Sequence, residues 1–359
     1  MHHSELAAAF MTSLGILLVA SAPPGSPAPA PPRMTGLMWM PTSPPTPARM
    51  AAFHPQPVPI IPALMLVLLA AYLVAVVRLR IRGDSWPVHR TLCWSAGVVI
   101  VLAMTATGID GYGMELFSAH MVQHMVLSMF APIFLVLGAP VTLALRALPA
   151  RPPGVRSVRR GLLAVLHSRV ARFFAHPVTS LSFFLVSLYG LYFTPVFDAL
   201  MSTMWGHNLM LLHFLAIGFL YFWCVLGIDP SPRQTSRGLR RYAAPTVRIL
   251  ELGATTPFHA FFGVMLMMSV SLVVGFYRAP VPGWGISPLA DQAVGGGIAW
   301  GFTELPTLIV LGVLFLQWQR SDERTTRRNE RSASRAEAER LQYNEYLQRL
   351  AGYDRRHEL

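Results

Sequence analysis

Five histidines lie within or beside long apolar runs of the sequence, where an ionisable side chain is costly and needs a reason. His120 and His124 are one helical turn apart, so both imidazoles lie on one face of a helix. His213 and His259 lie in two further runs, and His207 lies at the outer boundary of the run that holds His213. Imidazole is a common metal ligand, so these residues predict a metal site, with interhelical hydrogen bonding as the alternative explanation.

Methionines accompany these histidines. Met121 and Met125 form a row beside the paired histidines, and Met210 lies about one turn from His213. Soft thioether sulfur selects Cu(I), and a neutral methionine costs little to bury in lipid. The combination predicts Cu(I) bound transiently near the outer leaflet, with the histidines as ligands and the methionines as soft auxiliary ones.

Two acidic residues belong to the last apolar run, DQAVGGGIAWGFTELP. Asp291 lies at its outer edge, where it could admit a metal ion or support a ligand. Glu304 lies deep inside the run, and we expect an internal hydrogen bond or a proton-linked role there rather than metal ligation. The glycines at 295–297 predict close packing against a neighbouring helix.

The composition indicates that these residues lie in a lipid membrane. The chain has 359 residues, of which 53% are hydrophobic and 13% charged, and its mean hydropathy is +0.46. Soluble proteins carry about 25% charged residues. The net charge of +12 does not indicate nucleic-acid binding, because the arginines crowd into short loops beside the apolar runs.

Seven apolar segments are long enough to cross a hydrocarbon core of about 30 Å. They predict an all-α polytopic membrane bundle with seven transmembrane helices. The segments lie near residues 60–77, 92–109, 118–145, 178–197, 207–227, 252–276 and 292–317.

The arginines predict the orientation of this bundle. Of the 29 basic residues, all arginine, only Arg33, Arg49 and Arg278 fall on one side; the rest lie in the alternate loops and the tail. Because cytoplasmic loops are enriched in basic residues, we expect the amino-terminal side outside and the carboxyl-terminal helix in the cytoplasm.

Three regions follow from these patterns. Residues 1–57 combine a short apolar start with a proline-rich, extended linker, residues 58–318 form the transmembrane domain, and residues 319–359 form an arginine-rich cytoplasmic helical tail. The apolar run 6–22 is compatible with a signal peptide or anchor, and translation starting at Met34 or Met50 is the alternative.

Four segments resemble one protein family when taken together and in order. They are HMVQHMVLSMFAPIFLVLGAPVTLALRALP, HNLMLLHFLAIGFLYFWCVLGIDP, TTPFHAFFGVMLM and the last apolar run quoted above. The sequence is similar over about residues 58–318 to the multi-spanning CtaG proteins, which assist assembly of caa3-type cytochrome c oxidase in Gram-positive bacteria.

The resemblance implies a multi-pass plasma-membrane protein that works with cytochrome c oxidase subunits in the lipid bilayer and handles copper for their metal centres. We expect no enzymatic activity, since the sequence lacks a nucleophile–base set and a phosphate-binding loop. Two alternatives remain open: a transporter of copper or another small solute, and a membrane cytochrome that holds haem between His124 and His213.

Overall fold

The computed structural model describes residues 34–149, 157–235, 239–279 and 281–357, so the apolar run 6–22 lies outside the described residues. The described part is helical apart from the connecting segments and two isolated bridges, which confirms the all-α prediction. The chain divides into two compact units, Met1–Leu308 and Ile309–Leu359. All five candidate histidines belong to the first unit.

The helices differ widely in length, from a single turn to more than fifty residues. In chain order they are α1 (Pro47–Ala51), α2 (Ile60–Ile81), α3 (Val88–Thr105), α4 (Gly108–Glu115), α5 (Phe117–Met125), a π-helical segment (Val126–Phe130), α6 (Ala131–Leu137), α7 (Pro140–Ala147), α8 (Val158–His167), α9 (Arg169–Phe174), α10 (Pro177–Tyr192), α11 (Val196–Met201), α12 (Met204–Leu226), α13 (Pro232–Thr235), a 3-10 turn (Arg240–Ala243), α14 (Pro245–Met268), α15 (Pro288–Phe302) and α16 (Glu304–His357).

Six helical stretches within the described ranges are long and apolar enough to cross a membrane, so the protein is a multi-pass membrane protein. They are Ile60–Ile81, Val88–Thr105, Phe117–Ala147, Met204–Leu226, Pro245–Met268 and Pro288–Arg320. The fourth predicted segment, 178–197, is represented by α10, which has 16 residues and ends before Pro195. At 1.5 Å per residue α10 spans roughly 24 Å, so the count of seven stays a prediction.

The third spanning stretch is interrupted twice, at the places where its prolines predict kinks. Pro132 lacks an N–H, which frees the carbonyl of Ser128 four residues earlier, and the π-helical segment ends just before it. Gly218 of α12 packs directly onto that carbonyl, since a Cβ there would lie 2.0 Å from the Ser128 oxygen. A second break falls at Ala139, which has a left-handed backbone with φ of 51°.

Glycines bring α14 and α15 into close contact. A Cβ on Gly263 would lie 2.7 Å from the Gly296 carbonyl oxygen, and a Cβ on Gly296 would lie 2.6 Å from the Met267 nitrogen. A Cβ on Gly295 would meet the Phe117 ring at 2.6 Å, so α15 also packs closely on α5. Two glycines of the 295–297 group therefore do what the sequence predicts of them.

Residues 34–57, the second part of the proline-rich region, belong to the first unit and make specific contacts within it. Trp39 stacks on His54 at 3.6 Å between ring centroids and donates its backbone N–H to the Gln56 side chain. Tyr112 of α4 donates its hydroxyl to the Ser43 carbonyl at 3.0 Å. Side chains thus supply hydrogen-bond partners to backbone groups of a segment whose prolines disfavour regular helix and sheet.

Candidate functional site

The paired histidines of α5 face α10 and the spanning helix α12. His120 is 0% exposed and His124 3% exposed. The Nε2 atom of His120 lies 2.9 Å from the Tyr192 hydroxyl at the end of α10. The ring of His124 meets Phe214 of α12 edge-on, with centroids 4.1 Å apart. The one-face prediction for this pair is therefore correct.

His259 of α14 reaches the same region. His124 and His259 both line one small cavity, together with Ser128, Ser187 and the apolar side chains Phe184, Leu188, Phe214 and Ile217. The cavity offers about 10 Å³ to the centre of a water-sized sphere. That volume holds about one water molecule or one ion.

The polar atoms around this cavity are unusual because they lack partners. Among the described residues, both ring nitrogens of His124 and of His259, the Nδ1 atom of His120 and the Ser128 hydroxyl make no hydrogen bond. About 90% or more of buried polar groups in proteins are hydrogen-bonded. A neutral imidazole carries one donor and one acceptor, so this cluster presents open acceptors to anything that binds in the cavity.

The two histidines lie at similar depth. His124 is seven residues from the start of α5, about 10 Å, and His259 is nine residues from the end of α14, about 14 Å. These two helix ends lie at the same end of the bundle, since Asp291 of α15 bonds to the start of α5 and the next residue, Gln292, bonds to Leu266 near the end of α14.

His213 and His207 are placed differently from the cavity pair. His213 is exposed, and its Nε2 atom lies 2.6 Å from the hydroxyl of Ser187, a residue that lines the cavity, whereas His213 itself does not. His207 is buried between Asp110, at 3.3 Å from Nε2, and the sulfur of Met201, at 3.4 Å from Nδ1. The structure thus distributes the five histidines over three environments.

The predicted methionines are buried but do not line the cavity. Met121, Met125 and Met210 are all 1% exposed or less, and none is among the residues around the cavity. Met121 and Met125 each follow a histidine by one residue, which turns them about 100° around α5. In the described part of the chain, no group of three or more His, Cys, Asp or Glu side chains could hold a metal ion.

The two acidic candidates, Asp291 and Glu304, do not line the cavity either. Asp291 accepts hydrogen bonds from the backbone N–H of Phe117 at 2.6 Å and from the Ser118 hydroxyl, so it holds the start of the helix that carries both paired histidines. Glu304 is exposed on the protein surface, at the point where α15 ends at Phe302 and a new helix begins, within the spanning stretch Pro288–Arg320.

Sequence reasoning missed three residues of this region. Tyr192 bonds to His120, Ser128 lines the cavity, and Asp110 bonds to His207. Asp110 is an ionisable residue beside an apolar run, which is the signal that could have singled it out. Tyr192 and Ser128 carry no such signal, since both residue types are common in spanning helices.

Comparison with known proteins gives a family match over most of this unit. The family described as cytochrome c oxidase caa3 assembly factor (Caa3_CtaG) matches residues 70–321, which confirms the resemblance found in the sequence. Uncharacterized proteins of Mycobacterium bovis and Mycobacterium tuberculosis are each 45% identical over 292 residues, covering 79% of this chain and 42% of the relative.

An uncharacterized protein of Mycobacterium leprae is 43% identical over 296 residues, which cover 81% of this chain and 44% of the relative. The chain therefore spans less than half the length of the curated relatives it matches. No solved structure matches the chain.

Proposed function

The chain belongs to the caa3 cytochrome c oxidase assembly-factor family, and we propose that it assists maturation of the oxidase by holding Cu(I) transiently between His124 and His259. One observation carries the proposal: buried ring nitrogens without hydrogen-bond partners converge on a cavity of the size of one ion. Copper is the cargo here, and oxidase subunits are its proposed recipients.

The donor set suits a weakly held soft ion. Two neutral imidazoles, one from α5 and one from α14, supply two nitrogen ligands to Cu(I), an ion that accepts low coordination numbers. The Ser128 hydroxyl lines the same cavity as a weak additional oxygen donor. A site without a closed tetrahedral shell releases its ion more easily than a structural metal site does, and delivery requires such release.

The walls of the cavity suit this cargo as well. Phe184, Leu188, Phe214 and Ile217 surround the histidines with apolar surface. Such a wall limits access of water, which both strengthens the metal–ligand interaction and slows oxidation of the bound ion.

The geometry does not favour the haem-binding alternative. Haem would need His124 and His213 on opposite sides of a macrocycle, whereas His213 bonds to Ser187 and the cavity beside His124 holds about one ion. Copper transport would use the same cavity, and copper uptake by proteoliposomes that contain the protein separates it from delivery.

The direct test is Cu(I) binding to the purified full chain under reducing conditions. We expect His124→Leu/His259→Leu to bind one copper equivalent fewer than the wild type, because this double variant removes both nitrogen ligands at similar volume. His213→Leu is the matched control and should retain the copper, since His213 lies outside the cavity. Equal copper in the wild type and the double variant would remove these two histidines from the proposal.

A cellular test addresses the assembly role. Deletion of the gene should lower oxidase activity, and added copper should restore it if the protein delivers the metal. The double cavity variant should behave like the deletion while accumulating normally in the membrane. Lost activity that copper does not restore would indicate a scaffolding role instead, and unchanged activity would contradict the assembly role.

A further inference from the structure

A second group of buried polar side chains lies outside the cavity, where α4, α5, α11 and α12 meet. His207 is 1% exposed, Asp110 3% and Met201 0%. The Nε2 atom of His207 lies 3.3 Å from an oxygen of Asp110, and its Nδ1 atom lies 3.4 Å from the sulfur of Met201. Gln123 donates its side-chain amide to the same Asp110 oxygen at 2.6 Å.

These contacts determine which ring nitrogen of His207 carries the proton and which one has a free lone pair. The Asp110 oxygen already accepts a hydrogen bond from Gln123, and as an acceptor it favours the His207 tautomer with the proton on Nε2. The Nδ1 lone pair then points at Met201, whose thioether also offers lone pairs and no proton. Two donors of electron pairs that face each other in a buried site are what a soft cation requires.

The spacing of these donors fits one metal ion. With metal–nitrogen and metal–sulfur bonds of about 2.0 and about 2.3 Å, two ligands of one ion lie roughly 3.0 to 4.3 Å apart, depending on the angle between them. The observed separation of 3.4 Å falls in this range. A ligating histidine whose other ring nitrogen donates to a carboxylate is a recurrent arrangement at metal sites.

We propose that His207 and Met201 form a second Cu(I) site, with Asp110 positioning the imidazole. Its role as the step before the cavity rests on the proposed function. His120 connects the two sites, since it lies one turn from His124 on α5 and its ring meets Phe197 edge-on, with centroids 5.0 Å apart, on the helix that also carries Met201. Copper would therefore pass from a nitrogen–sulfur site to a site of nitrogen ligands.

X-ray absorption spectroscopy of the reduced full chain loaded with Cu(I) tests this site. The wild type should bind two equivalents, and the average spectrum should contain a sulfur neighbour at about 2.3 Å. Met201→Leu, which conserves volume, should lose one equivalent and the sulfur neighbour. Met65→Leu is the matched control, because Met65 is 1% exposed in α2, and it should leave both unchanged.

Asp110→Asn tests the positioning role. It should weaken copper binding at this site about 10- to 100-fold while the sulfur neighbour remains at saturating copper. A sulfur neighbour that persists in Met201→Leu, or an unchanged affinity in Asp110→Asn, would overturn the proposal. The cavity variant His124→Leu/His259→Leu should keep the sulfur-bound copper, so the two sites succeed or fail separately.

Discussion

Two buried polar regions of this protein differ in how completely their side chains are hydrogen-bonded. Every N–H group of the Arg233 guanidinium has an acceptor. Nε donates to the Ala175 carbonyl at 2.6 Å, Nη1 to Glu251 at 2.6 Å and to the Cys224 carbonyl at 3.5 Å, and Nη2 to Glu251 at 2.9 Å and Ser180 at 3.0 Å. Around His124 and His259, described ring nitrogens make no hydrogen bond at all.

The comparison separates an anchor from a binding site. Glu251 and His259 belong to the same helix, α14, about two turns apart. The satisfied pair fixes one part of the helix against α10 and α13, while the unsatisfied ring two turns away is presented to the cavity. A buried group without a partner lowers stability, so its presence beside a well-paired one points to a role outside folding.

The largest expected effect comes from breaking the anchor. Arg233→Met leaves Glu251 as an unpaired buried charge and should destabilise the protein by about 3–5 kcal/mol. Denaturant unfolding of the purified protein in detergent measures this loss. The double variant Arg233→Met/Glu251→Leu removes both charges and should recover most of the stability. A single variant as stable as the wild type would show that the pair does not anchor α14.

At the cavity, substitution is expected to raise the unfolding free energy rather than lower it. Copper-free His124→Leu/His259→Leu should gain about 1–3 kcal/mol of unfolding free energy, because it removes buried polar atoms that have no partners. Added Cu(I) at about 100 times its dissociation constant should stabilise the wild type by about 2.7 kcal/mol through this site, and this gain should be absent from the variant. A large loss of stability in the variant would make these rings structural, like the Arg233 pair.

The sequence predicts what each helix carries better than it predicts which helices meet. The spacing of His120 and His124 fixes their common face, because helical periodicity is a local property. The apolar segments locate the spanning stretches for the same reason. Their ends are less predictable: α10 stops before Pro195 although the apolar run continues to residue 197.

The cavity could not be derived this way, because it depends on contacts among helices far apart in sequence. Ser187 of α10 and His259 of α14 join His124 only through packing. Met201 shows the same limit, since it lies on a short helix that sequence reasoning did not separate from its neighbours. Residues that are ordinary singly become informative when their partners are known.

The smallest expected effect concerns Asp229, whose hydrogen bonding is intermediate between that of the Arg233 pair and that of the cavity histidines. It is buried and accepts hydrogen bonds from the backbone N–H groups of Val141 and Thr142, each at 2.9 Å. Within the described ranges it makes no ion pair with an arginine like that of Glu251. Burial raises the pKa of the Asp229 carboxyl above its usual value, although the bonds from Thr142 and Val141 counteract part of that rise.

A raised pKa means that the folded protein takes up a proton before the unfolded chain does as the pH falls. Asp229 should therefore add stability that is fully present below the unfolded-state pKa of about 3.9 and is lost as the pH rises through the folded-state pKa. This contribution should grow as the pH falls from neutral to about 4. Asp229→Asn cannot titrate, so the stability of the wild type relative to this variant should increase on acidification. Unfolding free energies of both proteins across this range measure the difference, in which groups common to both, such as Glu115, cancel. Parallel pH profiles would show that the hydrogen bonds at Asp229 fully offset its burial.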